Sequence, residues 1–87
     1  MQFLHKRFYL DAGDIVVVSL DTQANVMLTD DSNFGCYRSG RRFNYFGGLA
    51  KSSPIRLSPP HSGNWNLTID LGGRSGSIRH SINVVKR

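Results

Sequence analysis

Residues 63–85 carry the clearest alternation of apolar and polar positions in the chain. Trp65, Leu67, Ile69 and Leu71 alternate with Asn64, Asn66, Thr68 and Asp70, so an extended backbone has one apolar and one polar face. Gly72, Gly73, Arg74, Ser75 and Gly76 then interrupt the pattern with residues suited to a tight reversal. Ile78, Ile82 and Val84 resume the apolar phase. The pattern predicts a β-hairpin, with Trp65, the only tryptophan, as its largest core anchor. A second sheet is needed to cover its apolar face.

Upstream the two-residue period recurs in shorter pieces. Residues 1–10 place Leu4, Phe8 and Leu10 on one side with Lys6 among them, which predicts an edge strand. Asp11, Ala12, Gly13 and Asp14 read as a turn whose aspartates bond neighbouring amides. Residues 15–20 are a β-branched run suited to a strand buried on both sides or nearly so. Residues 25–29 predict a third strand with Val26 and Leu28 on the core face. Residues 30–42, DDSNFGCYRSGRR, show no period and are expected to form a long loop. Residues 43–46 predict a short aromatic strand, residues 49–53 a connection, and residues 54–58 a short strand opened by Pro54. No segment shows a capped helical period. The expectation is all-β: a single small antiparallel β-sandwich of about seven or eight short strands, one domain over residues 1–87.

Length and charge narrow the function classes. The 87 residues, 39% of them hydrophobic, suffice for one small core and no second domain. Cys36 is the only cysteine, which excludes an internal disulfide and fits a reducing compartment. No apolar run approaches a membrane span, and the first residues lack a secretory signal pattern, so the expected location is the cytoplasm. The net charge is +5, from eight arginines and three lysines against six aspartates. The arginine excess suits contact with phosphate or carboxylate, although the basic residues are scattered, and solvated surface charges are the plainer account.

The candidate chemistry gathers in residues 30–42. Asp30, Asp31 and Asn33 are oxygen ligands of the type that hold Ca²⁺, but with Asp31 as the first position of a loop the twelfth is Arg42, where an EF-hand needs an acid. Bonding to their own turn amides is the simpler role. Tyr37, Arg38, Arg41 and Arg42, followed by Phe43 and Tyr45, interleave aromatic rings with guanidinium groups, the arrangement of an anion-binding or base-stacking surface. The alternative is an aromatic core segment flanked by solvated arginines. The turn at residues 72–77 lacks P-loop spacing and opens no helix. His5, His61 and His80 show no metal-ligand spacing, so no metal or cofactor is expected. No catalytic constellation is visible in the order of residues.

The segments FLHKR, DDSNF, YFGG and GNWNLTIDLGG, with Tyr37 and Gly40, together resemble a small bacterial domain-of-unknown-function family, numbered eighteen eighty-three. The resemblance covers nearly the whole chain and implies an all-β sandwich-like fold. It also implies company: members occur as short single-domain proteins and joined to TIR domains, modules of bacterial signalling and anti-phage defence. It carries no catalytic residue onto this sequence.

The function expected is that of a non-catalytic binding module for an anionic small ligand or a protein partner, with Tyr37, Arg38, Arg41 and Arg42 as contacts. Single-stranded nucleic-acid binding is the alternative, and a small hydrolase using His61 or His5 with an aspartate is the third reading. A homodimer paired through the edge strand at residues 1–10 is compatible with the first.

Overall fold

The computed structural model describes residues 3–71 and 78–86. Seven strands and one helix follow in the order β1 (Phe3–Leu10), β2 (Ile15–Leu20), β3 (Ala24–Asp30), α1 (Asp31–Arg38), β4 (Phe46–Ala50), β5 (Ile55–Leu57), β6 (Gly63–Asp70) and β7 (His80–Val85). The strands form a four-stranded sheet in the order β1-β6-β3-β4 and a three-stranded sheet in the order β5-β2-β7. Every pairing is antiparallel. This is the antiparallel β-sandwich that the alternation predicts.

Register explains the core. On β6, Trp65 lies opposite Phe8, Leu67 lies opposite Lys6 and Leu28, and Ile69 lies opposite Leu4 and Val26. On β2, Val16 lies opposite Leu57 and Val84, and Val18 lies opposite Ile55 and Ile82. These inward faces meet in one cluster in which Leu10, Val16, Val18, Val26, Leu28, Trp65, Leu67 and Ile69 are buried. β1 is an edge strand, as its imperfect alternation suggests. At one side of the sandwich β4 lies against β5. Gly47 permits the close pairing of β4 with β3: it has a φ of +115°, and a Cβ there would clash with the Val26 carbonyl oxygen.

Four expectations are corrected. β6 and β7 are not a hairpin, because they belong to different sheets. β6 is central, with both edges taken by β1 and β3, and β7 pairs with β2. Alternation says that each strand buries one face; it does not say which strand lies beside it. The predicted turn at residues 72–77 lies outside the described residues. The aperiodic stretch contains a helix, α1, and the strand expected at residues 43–46 begins at Phe46 and runs through the expected connection to Ala50. β2 is buried on one face only, and Ile15 and Val17 on its outer face are half-buried.

Candidate functional site

α1 forms because its ends are capped. Asp30 accepts the Asn33 backbone N–H at 2.7 Å and the Asn33 side-chain N–H at 2.9 Å, the role of an N-cap. At the other end Gly40 adopts a φ of +75°. Its N–H donates to the Tyr37 carbonyl, and the Arg41 N–H donates to the Cys36 carbonyl at 2.9 Å, which is a Schellman closure. Asn33 Oδ1 also accepts the Asn44 N–H at 2.8 Å, tying the chain beyond the helix back to its first turn.

The helix covers the outer face of the larger sheet. That is why the polar face of β6, which alternation alone would leave in water, is buried: Asn66, Thr68 and Asp70 are 1%, 1% and 5% exposed. The side chains of Asn66 and Asp70 meet partners from α1 and β1. The Tyr37 hydroxyl donates to Asp70 Oδ2 at 2.7 Å. Burial, then the bond to Asp70, pushes the Tyr37 phenol well above its ordinary range. Asn66 Nδ2 donates to Asp31 Oδ1 at 2.8 Å and contacts the Thr29 carbonyl at 3.4 Å. Arg7 makes a two-pronged bond to Asp31, at 3.0 and 2.7 Å. The Arg7 hydrogen bond, then that of Asn66, lowers the Asp31 carboxyl to about 2.

The network also sets a histidine tautomer. The Asp31 carboxylate only accepts, so the Asn66 amide must present its NH2 there and its Oδ1 elsewhere. His5 Nε2, 2.8 Å from that Oδ1, must therefore donate. His5 and Asp31 are thus joined through an amide. The His5 ring stacks on Phe34 with centroids 4.0 Å apart. Thr68 Oγ1 is buried with no hydrogen-bond partner in this otherwise satisfied layer.

The four residues expected to contact a ligand divide. Tyr37 is 8% exposed, and its ring packs edge-on against Phe3 and Phe43, each with centroids 5.2 Å away. Its faces belong to the helix–sheet contact, so the expected stacking role is corrected. Arg38, Arg41 and Arg42 are exposed. The Arg38 guanidinium carbon lies 5.9 Å from the centre of the Phe34 ring. The ion pairs among the described residues are Arg7–Asp31 and Lys86 with Asp11 and Asp14, so none of these three arginines has a carboxylate partner there. The aromatic series continues outward from Tyr37 through half-buried Phe43 to Tyr45, whose ring lies 5.3 Å from Phe43 and is 47% exposed. Tyr45, part of the interleaved stretch but not of the four expected contacts, is an accessible ring beside the arginines in the chain. Its aromatic–arginine interleaving was visible, but which ring reaches solvent depends on the sheet below.

Asp30 bonds the Asn33 amide of its own turn, as expected, whereas Asp31 binds the Arg7 and Asn66 side chains and Asn33 Oδ1 accepts the N–H of Asn44 further along the chain. Among the described residues no group of three or more His, Cys, Asp or Glu is placed to hold a metal ion. His61 contacts the Ser62 carbonyl at 3.2 Å, and its ring lies against Trp65. Cys36 is a free, half-buried thiol. Among the described residues no helix is long and apolar enough to cross a membrane.

A family model described as Domain of unknown function (DUF1883) matches residues 1–87, so the chain belongs to that family. No curated protein and no solved structure matches the chain.

Proposed function

We propose that this family member is a non-catalytic binding module that engages an anionic partner through Arg38, Arg41 and Arg42. Tyr45 takes the stacking role that buried Tyr37 cannot. The observation that carries the reading is three exposed arginines within five residues, none with a carboxylate partner among the described residues. The amides of Ser39, Gly40 and Arg41 close the end of α1, so the helix does not need guanidinium donors there. A planar fork of N–H donors suits carboxylate or phosphate. The partner is an anionic small ligand or an acidic protein segment. In a chain joined to a TIR module, as the family resemblance implies, this face would be the input of a signalling or defence protein. A cytoplasmic setting suits the free thiol of Cys36.

The exposed Tyr45 ring beside unpaired arginines also favours a second reading, single-stranded nucleic acid held by stacking and phosphate contacts. One experiment tests both. Binding of nucleotides, short single-stranded oligonucleotides and an acidic peptide is measured for the parent and for Arg41→Ala/Arg42→Ala, at low and moderate salt. The double variant is expected to lose binding while its melting temperature stays nearly unchanged, because both side chains are exposed. Steep salt dependence confined to oligonucleotides would select nucleic acid. Undiminished binding by the double variant, or no binding to any member of the panel, overturns the reading.

A further inference from the structure

The sandwich is not equally tight along its two sides. Where β4 meets β5 the sheets close together, but between β1 and β7 lies a half-open cavity of about 290 Å³. Its floor and walls are Leu67 and Ile69 from β6, Leu4 from β1 and Ile82 from β7. Leu67 and Ile69 at its base are almost fully covered, so the apolar surface a ligand can reach is that of exposed Leu4 and half-buried Ile82, with His5 and Ser81 adding polar atoms. Lys6 and His80 line the same cavity from opposite sheets, and both are exposed. Lys6 lies in register with Leu67 on the inward face of β1, and His80 lies opposite Leu20 on β7. Lys6 has no carboxylate partner among the described residues.

We propose that this cavity is a binding site for a compact amphiphile with an apolar body and a carboxylate head. The apolar body lies between Leu4 and Ile82, above Leu67 and Ile69. The head lies with Lys6 and His80, which supply a cation and a second N–H donor. The size fits: the cavity holds the volume of about ten waters, near the lower end of small-molecule sites. That matches a medium-length carboxylate better than a long-chain lipid. An inward lysine on an edge strand is also a known guard against strand pairing. A guard requires neither a cavity nor a second N–H donor on the facing sheet, and this structure has both.

The test is a ¹H–¹⁵N NMR titration of the full chain with octanoate, with octanol and acetate as separate arms. Octanoate is expected to saturate and to shift the amides of Leu4, Lys6, Leu67, Ile69 and Ile82. Octanol, with the body and no anion, is expected to bind more weakly, and acetate, with the anion and no body, to leave these amides unmoved. Lys6→Met keeps the aliphatic stem and is expected to weaken octanoate by about fivefold, the size of an exposed ion pair. Arg41→Ala/Arg42→Ala is expected to bind octanoate like the parent, which separates this site from the arginine face. Octanoate that fails to saturate at these amides, octanol binding as tightly as octanoate, or Lys6→Met binding as well as the parent overturns the proposal.

Discussion

Tyr37 places its hydroxyl 2.7 Å from Asp70 Oδ2, and both side chains are nearly dry. A phenol that donates to a buried carboxylate replaces water that the fold has removed. Tyr37→Phe keeps the ring and its packing but takes that donor from Asp70. The expected cost is about 1–3 kcal/mol, because a buried acceptor is left with one partner fewer. For a domain of this size that lowers the melting temperature by about 4–8 °C for each kcal/mol. Calorimetry on Tyr37→Phe, Asp70→Asn and the double variant reads the coupling directly. A Tyr37→Phe protein as stable as the parent would mean that the hydroxyl adds nothing. The sequence shows Tyr37 with arginines on its C-terminal side, and that neighbourhood suggests a ligand surface. Its partner Asp70 lies 33 residues away, a separation that no local pattern reports.

At the scale of elements, the same limit explains the missed helix. α1 has eight residues and buries only Tyr37, so it offers no sustained apolar stripe for a period to detect. Its signals were in the caps: Asp30 three residues before Asn33, and Gly40 just past the last turn. Those residue types also make turns, and in a chain of short strands a turn is their plainer reading. The strands needed no such help, since Val26, Leu28, Trp65, Leu67 and Ile69 show their buried face through alternation alone. Asp31 in the first turn of α1 binds Arg7 on β1 and Asn66 on β6, so one carboxylate docks the helix across two strands. Its folded-state value, about 2, lies below the ordinary 3.8. A depressed carboxyl stabilises the fold above its unfolded value and loses that contribution as pH falls through its folded value. The melting-temperature advantage of the parent over Asp31→Asn is therefore expected to be constant near neutrality and to shrink between pH 3.8 and about 2. Half the side chain is in water, so the advantage is modest and salt-sensitive. An advantage that does not change over this interval would show that the carboxylate charge does not hold the helix.

For the whole molecule, strand existence was legible and strand neighbours were not. A sandwich of seven strands can connect in many ways, and the apolar phase of β6 and β7 is the same whether they lie side by side or in facing sheets. The chain places them in facing sheets, and the two sides of the resulting core are unequal. Trp65 is 2% exposed, donates its Nε1–H to the His61 carbonyl at 3.1 Å, and has the Phe46 ring edge-on at 6.0 Å. Ile82 is half-buried beside the cavity between β1 and β7. A large-to-small change costs most where the surroundings are full and cannot collapse. Trp65→Ala is expected to cost about 3–5 kcal/mol. A chain of 87 residues has a total stability of roughly 4–13 kcal/mol, so that one change can remove most of it. Ile82→Ala is expected at or below about 2 kcal/mol, the low end for a core aliphatic, because the lost methyl groups already face a void. Urea unfolding of both variants measures the difference, with the slope of each transition checking that the native state keeps its compactness. Equal losses would mean that the β1/β7 side is packed as tightly in solution as the side that holds Trp65, and would leave no room there for a ligand.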